Sequence, residues 1–325
     1  MINAKITGVG RYIPEKVLDN AYFESIVDTN DEWITRRTGI KERHVSAPDE
    51  YTTDMATKAA QNAIKDAGLT AEDIDLIMLG SVTPDYFTPV GACVVQANLG
   101  AVNAAAFDYN SACTGFITGL TIAKQFIATG TYKHILVICA DVLSKATDYA
   151  DRGTCILFGD AAGAAVVSAS GETGIITTEI GADGTGALAL TQLAYREDEE
   201  ETEKRVSHNK ETIWMAGQTV MKFAVKAMAD ASNKVLEKAG LTYDDIALVI
   251  PHQANYRIVD AAIKRMGITE DKVFLNLEKF GNTSASCIPS SLSQAVEQGR
   301  VKKGDKIILV GFGGGLTCGA ALLEW

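Results

Sequence analysis

The 325-residue sequence is poor in basic charge and in long apolar runs, and each shortage excludes a class of protein. Its net charge is −11, so we expect neither nucleic acid nor an anionic membrane surface as a partner. Its apolar runs, such as residues 135–140, are far shorter than the roughly 20 residues of a membrane span and suit buried strands. We find no signal peptide ahead of the strand-like pattern at residues 1–10.

Cysteine and histidine are also scarce and scattered. The six cysteines form no CxxC pair, and none of the four histidines stands at metal-ligand spacing from a cysteine. Cys139 and Cys155 lie in apolar runs, as buried free thiols do. The dense charge run at residues 196–205 is acidic. We therefore expect a reduced, cytoplasmic protein without a metal site.

What the sequence does contain is an internal repeat. Residues 59–81 and 231–253 are near copies, 172 positions apart (231 − 59), and each predicts an amphipathic helix, a glycine stop and an apolar strand. The chain is also longer than one hydrophobic core usually serves. We therefore predict an α/β protein of two duplicated halves, residues 1–172 and 173–325, with sheets largely covered by helices.

A second, weaker match connects two predicted helix entrances. Residues 111–130 align with residues 280–299 at an offset of 169 (280 − 111), which places Cys113 opposite Asn282. Halves related by a pseudo-twofold axis would bring these two entrances side by side. The repeat therefore predicts that Cys113 and Asn282 face one shared centre.

Cys113 is a candidate nucleophile. A thiol reacts as its thiolate, and the free N–H groups and macrodipole of a helix N-terminus lower the pKa of a thiol placed there. The neighbouring residues are small, so a substrate could approach the sulfur. The alternative is a buried thiol that only packs a helix against a sheet, which is the commoner role of a free cysteine.

Two further residues are candidates for the same centre. His252 directly follows an apolar strand, at the sheet edge where α/β proteins bind ligands, although a solvated loop histidine would give the same pattern. Asn282 precedes a predicted helix at residues 289–298, where it could also act only as a helix cap. Cysteine, histidine and asparagine together are a familiar set for catalysis by a thiolate nucleophile.

A glycine-rich turn near the C-terminus offers backbone donors. Gly313, Gly314 and Gly315 lack the spacing of a nucleotide-binding loop. An exposed turn of this kind can present an N–H group to a site, and the N–H of Cys113 would be a second donor. Two such donors make an oxyanion hole, which contributes about 3 kcal/mol per donor in acyl transfer. A plain glycine hairpin is the alternative.

Four motifs in order, NSACTGF, PHQAN, FGNTSAS and GFGGGLT, strongly resemble those of β-ketoacyl-acyl carrier protein synthase III. This family is the initiating condensing enzyme of bacterial type II fatty-acid synthesis. The resemblance runs along essentially the whole chain, including residues 29–44, 151–164 and 215–225. It implies a thiolase fold with five layers, α-β-α-β-α, and a homodimer. It also implies acyl-CoA and malonyl-acyl carrier protein as substrates, with no cofactor.

The resemblance implies a role for each candidate residue. Cys113 would take the acyl group from an acyl-CoA primer such as acetyl-CoA and release CoA. Malonyl-acyl carrier protein would then lose CO2, and its carbanion would attack the Cys113 thioester to give a 3-oxoacyl-acyl carrier protein. His252 and Asn282 would stabilise the enolate oxygen of the malonyl group. The amides of Cys113 and Gly314 would form the oxyanion hole for acyl transfer.

Residues that match the family's substrate contacts are spread along the chain. The resemblance implies CoA-binding roles for six of them: Thr29, Trp33, Arg37, Arg152, Gly217 and Asn255. It implies an acyl pocket formed by Phe87, supplied across the dimer, and Phe312. It implies a docking patch for the acidic carrier protein, although a solvated helix face would give the same basic pattern: Lys222, Arg257, Lys264 and Arg265.

Two positions depart from the family motif at residues 215–225. Gln218 and Met221 stand where the family has asparagine and phenylalanine, so the motif does not determine the shape of the CoA tunnel in this chain.

Related families of the same fold differ from this chain at named positions. Degradative thiolases carry a second cysteine where this chain has Phe312, and hydroxymethylglutaryl-CoA synthases carry a glutamate base in the loop where Asp85 is the only acid. Chalcone-type synthases share the cysteine, histidine and asparagine but are longer.

Two alternatives therefore stay open at this point. One is a condensing enzyme of another pathway, of polyketide or quinolone type, with the same cysteine, histidine and asparagine. The other is a non-catalytic protein that binds an acyl carrier and in which Cys113 only packs.

Overall fold

The computed structural model describes residues 2–194 and 211–325. The acidic run at residues 196–205 lies outside the described residues. The strands are β1 (Asn3–Tyr12), β2 (Lys16–Asp19), β3 (Glu42–Val45), β4 (Leu76–Gly80), β5 (Ala105–Tyr109), β6 (His134–Asp141), β7 (Ala161–Ser170), β8 (Ile175–Ala182), β9 (Leu190–Thr191), β10 (Trp214–Met215), β11 (Leu248–Pro251), β12 (Lys306–Gly313) and β13 (Thr317–Glu324).

The helices alternate with the strands along most of the chain. They are α1 (Asn20–Glu24), α2 (Asp31–Thr38), α3 (Thr52–Asp66), α4 (Gly91–Leu99), α5 (Gly115–Ala128), α6 (Arg152–Cys155), α7 (Gly217–Ala239), α8 (Tyr256–Met266), α9 (Leu277–Phe280) and α10 (Cys287–Glu297). Short 3-10 turns lead into α5 (Ala112–Thr114) and into α10 (Ser284–Ser286).

Two large sheets form the frame of the molecule. The first has the order β1-β7-β6-β4-β5, in which β4 is parallel to β5 and β6 while β7 is antiparallel to β1 and β6. The second has the order β11-β12-β13-β8, with β11 parallel to β12. Strands β4, β6, β11 and β12 are nearly continuous apolar runs, and such runs require cover on both faces of a sheet.

Helices supply that cover in three layers. Helices α3 and α4 pack on the outer face of the first sheet, and α7 and α8 pack on the outer face of the second. Helices α5 and α10 lie between the sheets, where Phe116, Leu120 and Ile288 join a core that draws on both sheets. The result is five layers, α-β-α-β-α, as the resemblance implied. The predicted division at residues 172 and 173 falls between β7 and β8.

The duplication extends through the strands. Strands β8, β11 and β12 begin 172 positions after β1, β4 and β6 (175 − 3, 248 − 76 and 306 − 134), and they take the corresponding places in the second sheet. The capped 3-10 turns at Ala71–Asp73 and Tyr243–Asp245 have the same separation. Two copies of one α/β unit thus face each other through α5 and α10.

The predicted equivalence of Cys113 with Asn282 is wrong by three residues. Ala112 and Ser284, 172 positions apart (284 − 112), have the positive φ angles of 44° and 53° that mark the two matching turns. Cys113 therefore corresponds to Ala285. The error is close to one helical turn of 3.6 residues, and a shift of that size keeps the small residues of a helix on the same face.

The asparagine that truly corresponds to Asn282 is Asn110. Each of these residues accepts a hydrogen bond from the backbone N–H two positions later, at 3.0 Å in both turns. Asn282 thus opens the turn of the second half as Asn110 opens the turn of the first. The broader prediction, that the two turns meet at one centre, still follows from this corrected equivalence.

The longest helix has a clear amphipathic character. Helix α7 buries Val220, Ala224 and Val235 against the second sheet and carries lysines on its outer face. Among the residues that the structure describes, no helix is both long enough and apolar enough to cross a bilayer.

Candidate active site

Cys113 lies in the 3-10 turn that joins β5 to α5. The turn is held in an unusual conformation by Ala112, whose φ of 44° lies in the left-handed region, and the thiol is only 8% exposed. Strand β12 ends directly against it. A Cβ atom at Gly313 would lie 2.7 Å from the Cys113 amide nitrogen, so only glycine permits this approach of the two halves.

The helix entrance does not make the Cys113 thiol acidic in the resting protein. Burial raises the pKa of this thiol to about 12, and the nearby Asp141 charge acts in the same direction. A hydrogen bond from the thiol to the Ser284 hydroxyl, at 3.6 Å, opposes the shift without reversing it. The prediction that the helix start lowers the pKa is therefore wrong, because desolvation of the anion outweighs the helix effect.

His252 follows β11 directly and points into the centre of the molecule. Its ring is fully buried, and neither ring nitrogen has a hydrogen-bond partner among the described residues. It packs edge-on against Phe312, with ring centroids 5.1 Å apart. Burial lowers the pKa of His252 to about 3, so the imidazole is neutral at physiological pH. A neutral imidazole carries one N–H donor that a ligand can use.

This neutral state predicts a flat pH dependence for any step in which His252 only donates a hydrogen bond. The His252 charge forms only below the lowered pKa, so we expect no loss of malonyl decarboxylation from about pH 8 down to about pH 5. The measurement is CO2 release from malonyl-acyl carrier protein without acyl-CoA. The assignment of a neutral His252 would be contradicted if the wild-type rate fell on acidification with a midpoint near the ordinary pKa of histidine and the rate of His252→Gln did not.

Asn282 is fixed by its backbone and by one of its side-chain atoms. Its N–H donates to the carbonyl of Leu157 at 2.8 Å, and its carbonyl accepts from the N–H of Gly159 at 3.0 Å. Its side-chain oxygen accepts from the N–H of Ser284 at 3.0 Å. Asn282 lines the cavity, and its NH2 group is left as a donor because the side-chain oxygen is already engaged.

The three candidate residues line one cavity. Cys113, His252 and Asn282 share a space of about 120 Å³ with Phe312 and Gly314, and most of its remaining lining is apolar. Gly314 lies on the cavity side of the Cys113 turn, as the predicted oxyanion hole requires. The structure thus brings together residues that are 139 and 30 positions apart in the sequence (252 − 113 and 282 − 252). Their catalytic roles stay predictions.

An outer cleft of about 1200 Å³ adjoins this cavity and shares Ala112 and Gly314 with it. Phe87 lines the outer cleft and is 72% exposed, whereas Phe312 is 2% exposed in the inner cavity. The two predicted acyl-pocket residues therefore do not meet within one chain. A place for Phe87 in the pocket of a second chain stays a prediction.

A cluster of aromatic and basic side chains lies in the segment predicted to bind CoA. The guanidinium carbons of Arg37 and Arg152 lie 5.2 Å and 5.0 Å from the centre of the Trp33 ring, in cation–π contact. The hydroxyl of Thr29 is buried and has no hydrogen-bond partner in the part of the chain that the structure describes. These planar and polar groups are of the kinds that stack on a purine base and bind phosphate.

The two other predicted CoA contacts lie at helix starts in the second half. Gly217 is exposed at the first residue of α7. Asn255 caps α8, because its side-chain oxygen accepts from the N–H of Arg257 at 2.9 Å. Asn255 thus has a structural role in this chain, and its contact with CoA stays a prediction.

Comparisons with known proteins decide the family. The chain matches the model of 3-oxoacyl-[acyl-carrier-protein] synthase III over residues 107–184 and the model of its C-terminal part over residues 236–325. It is 51% identical to the β-ketoacyl-[acyl-carrier-protein] synthase III of Caldanaerobacter subterraneus subsp. tengcongensis, over 100% of this chain and 98% of that protein. The chain belongs to the β-ketoacyl-acyl carrier protein synthase III family.

Solved structures agree with this assignment. The 3-oxoacyl-[acyl-carrier-protein] synthase III of Aquifex aeolicus is 46% identical, with a TM-score of 0.92 over 99% of this chain and 100% of that one. The priming β-ketosynthase of the R1128 polyketide pathway has the same TM-score at 35% identity, over 99% and 96% of the chains. The thiolase fold and a condensing acyltransferase of fatty-acid synthesis are thus confirmed, and the polyketide alternative is not favoured.

Asp85, the only acid of the 81–88 loop, is held by hydrogen bonds to a neighbouring helix. Both Asp85 oxygens are engaged at the start of α3, where they accept hydrogen bonds from the N–H groups of Thr52 and Thr53 at 2.9 Å and 3.1 Å. Asp85 is therefore a helix cap, and the hydroxymethylglutaryl-CoA synthase arrangement is absent from this loop.

The departures from the synthase III motif lie in the first two turns of α7. Gln218 is exposed, whereas Met221 is partly buried against the core of the second half. Met221 thus fills space that a phenylalanine ring would fill, with a more flexible side chain.

The predicted carrier-docking residues are all exposed on α7 and α8. Two of them have acidic neighbours: Lys264 forms an ion pair with Asp260 at 2.7 Å, and Arg265 lies 3.8 Å from Asp230. These carboxylates reduce the positive charge of the patch. Its role in docking stays a prediction.

Sequence reasoning missed two residues near this centre: Ser284, which accepts a hydrogen bond from the Cys113 thiol, and Asp141. Asp141, the last residue of β6, is fully buried and accepts hydrogen bonds from three groups of the 81–83 loop and from the N–H of Ala285. Burial raises the pKa of Asp141 to about 6. The only signal in the sequence was an acid at the end of a buried strand.

Proposed function

We propose that this synthase III forms a thioester on Cys113 from an acyl-CoA primer and condenses it with malonyl-acyl carrier protein. The products are a 3-oxoacyl-acyl carrier protein, CoA and CO2. The observation that carries the proposal is that Cys113, His252 and Asn282, three buried residues from both halves of the chain, line one cavity. We also propose that the halves, residues 1–172 and 173–325, are duplicated units that each contribute one turn to the site.

The first half-reaction is acyl transfer to Cys113. The Cys113 sulfur attacks the thioester carbonyl of acyl-CoA, and negative charge develops on the carbonyl oxygen. Cys113 and Gly314 both line the cavity, and their N–H groups would stabilise this oxygen. The small, mostly apolar cavity suits a short acyl chain such as acetyl and keeps water from the thioester.

The second half-reaction is decarboxylation followed by carbon–carbon bond formation. Loss of CO2 from the malonyl group leaves an enolate whose negative charge lies on the thioester oxygen. Among the described residues, the N–H of the neutral His252 ring has no hydrogen-bond partner. The side-chain oxygen of Asn282 is already bonded to the N–H of Ser284, so its NH2 group is the part that can donate. Both would bind this oxygen, and the enolate carbon would then attack the acyl group on Cys113.

Binding of CoA is assigned to the cluster of Trp33, Arg37 and Arg152. Replacing Trp33 by alanine removes the ring on which Arg37 and Arg152 now pack, and with it the surface for an adenine base. We expect the KM for acyl-CoA to rise by about tenfold, while kcat changes by less than about twofold, because the ring lies away from the reacting atoms. Steady-state kinetics of Trp33→Ala check this, and an unchanged KM would contradict it. Trp325→Ala, at the far C-terminus, is the matched control.

The remaining parts of the proposal concern assembly and location. We propose a cytoplasmic homodimer in which Phe87, exposed in the single chain, enters the acyl pocket of the second chain. We propose that Lys222, Arg257, Lys264 and Arg265 receive the acidic carrier protein. The reaction needs no cofactor and no metal, since the acyl-CoA is itself a substrate.

The test of the proposed function is a condensation assay with purified protein. Malonyl-acyl carrier protein is supplied as extender with a panel of acyl-CoA primers, and malonyl-CoA replaces the carrier in a parallel reaction. We expect product with short primers and malonyl-acyl carrier protein, and little with malonyl-CoA. No product with any primer would overturn the proposal.

A further inference from the structure

Arg43, in strand β3, is a charged residue with no exposure to solvent. Each of its hydrogen bonds to the described residues goes to a neutral oxygen, and the Phe23 ring lies 4.5 Å from its guanidinium carbon. Burial lowers the pKa of Arg43 to about 10, so the side chain is still charged at physiological pH. Burying a charge costs free energy, which an apolar side chain at this place would not cost.

The duplication shows that the fold accepts an apolar side chain at this position. In the first half, β3 pairs with β2, and Arg43 lies opposite Leu18. In the second half, β10 pairs with β9, and Met215 lies opposite Leu190. The corresponding residues are 172 positions apart (215 − 43 and 190 − 18), which is the offset of the repeat. Met215 thus takes the place of Arg43, so this pair of strands does not itself require an arginine.

The guanidinium of Arg43 holds the carbonyl group of Ile156. Its Nε donates to that oxygen at 2.9 Å, and its Nη2 donates to the same oxygen. Its Nη1 donates to the side-chain oxygen of Asn20 at 2.6 Å, and Asn20 is itself buried and bonded to α2. The plane of the guanidinium is therefore fixed at both ends, and it fixes the residue that caps the C-terminus of α6.

The residues that follow Ile156 are those to which Asn282 is attached. Asn282 forms a parallel bridge with Phe158, through its N–H to the carbonyl of Leu157 at 2.8 Å and through its carbonyl to the N–H of Gly159 at 3.0 Å. The place of the Asn282 backbone in the cavity wall thus depends on segment 157–159. Arg43 holds the residue that directly precedes this segment.

The aliphatic part of Arg43 lies against the same bridge. A Cβ atom at Gly281 would lie 3.1 Å from Cγ of Arg43, and one at Gly159 would lie 3.5 Å from Cβ of Arg43. Gly281 directly precedes Asn282, and its φ of 65° favours glycine. Arg43 therefore supports both strands of the bridge, one through Gly281 and the other through Gly159 and Ile156.

We propose that Arg43 is a positioning residue, which holds Asn282 where its NH2 group binds the enolate oxygen of the malonyl group. Arg43 is not among the described residues that line the cavity, so it acts through Asn282. A donor must be held within about 0.5 Å of its productive place to stabilise a developing charge fully. The inference rests on the proposed function, in which Asn282 serves decarboxylation and the N–H groups of Cys113 and Gly314 serve acylation.

The test replaces Arg43 by the residue that the second half carries at this place. We expect Arg43→Met to lower kcat for CO2 release from malonyl-acyl carrier protein by about 10- to 100-fold, because a displaced donor stabilises the enolate less. The first turnover of CoA release at saturating acetyl-CoA should stay within about twofold of wild type. The matched control is Arg11→Met, which removes an ion pair with Glu297 and should change neither rate.

A double-mutant cycle shows whether Arg43 acts through Asn282. In the Asn282→Ala protein the donor is already absent, so adding Arg43→Met should lower decarboxylation by less than about twofold further. A residue that only stabilised the fold would cost the same factor in both backgrounds. The cycle therefore separates positioning of Asn282 from a general structural role.

A lysine at the same position separates geometry from charge. Arg43→Lys keeps the positive charge, but an ammonium group cannot hold the Ile156 and Asn20 oxygens in the fixed plane of a guanidinium. We expect decarboxylation by Arg43→Lys to fall between those of wild type and Arg43→Met. If Arg43→Met does not fold, Arg43→Lys decides, and normal decarboxylation in that variant would reject the proposal.

Three further results would overturn the positioning role. They are unchanged decarboxylation in a folded Arg43→Met protein, an equal loss of acylation and decarboxylation in that protein, and a full loss on adding Arg43→Met to Asn282→Ala. A wild-type protein that neither releases CoA from acetyl-CoA nor decarboxylates malonyl-acyl carrier protein would instead reject the proposed function.

Discussion

Replacement of Cys113 by serine is expected to lower acyl transfer from acyl-CoA by about 10³-fold or more, with the fold intact. A serine hydroxyl is a far weaker nucleophile than a thiolate, and in this cavity no neutral histidine within hydrogen-bond distance can activate it. The Ser284 hydroxyl can still hydrogen-bond to the new side chain, so the turn keeps its partner. Acylation is measured as CoA release in a single turnover.

The control for this variant is Cys93→Ser. Cys93 is an exposed thiol on α4, away from the cavity, and its replacement should leave acylation unchanged. The melting temperature of Cys113→Ser should stay within a few degrees, roughly 5 °C, of wild type. Normal condensation by Cys113→Ser would show that the nucleophile lies elsewhere.

Replacement of His252 or Asn282 by alanine is expected to separate the two half-reactions. Each change removes one donor to the enolate oxygen, which should lower malonyl decarboxylation by about 10²- to 10³-fold. Acyl transfer to Cys113 should change by less than about tenfold, because the N–H groups of Cys113 and Gly314 would stabilise that transition state. Double replacement should cost little more than the stronger single change, since both donors bind one oxygen.

Two remote residues serve as matched controls for these variants. His134 binds the Ser168 hydroxyl at 2.9 Å, and Asn103 donates to the carbonyl of Glu72 at 2.8 Å. His134→Ala and Asn103→Ala should keep both half-reactions. Because His252 is fully buried, its replacement by alanine could instead collapse the cavity. In that case His252→Ala would lose acylation and decarboxylation equally.

The architecture was predictable because its signals are local or repeated. The copies at residues 59–81 and 231–253 each contain apolar residues at helical spacing, a glycine that ends the helix and an apolar strand. Such patterns are visible in a sequence because the apolar positions are those that become buried. The place of His252 followed from the end of a strand in an α/β sheet. The meeting of Cys113 with Asn282 followed from duplication, even though their assumed equivalence was three residues out.

The parts that the sequence did not predict depend on contacts between distant segments. Asp141 gathers hydrogen bonds from the 81–83 loop and from Ala285, so its role exists only after both halves have packed together. The pKa of Cys113 depends on desolvation by that packing, which no short motif encodes. Trp33 was linked to CoA by the family resemblance alone, and its contacts with two arginines became visible only in the fold.

The central claim is that Cys113 carries the acyl group between the two half-reactions. The most direct test is mass spectrometry of two samples of the protein, both incubated briefly with acetyl-CoA. The first sample is digested at once. The second receives malonyl-acyl carrier protein before it is digested. We expect the mass of one acetyl group on the peptide that contains Cys113, and its loss when the extender is added. Acetylation at another residue, or an acetylated Cys113 that malonyl-acyl carrier protein does not discharge, would contradict this account.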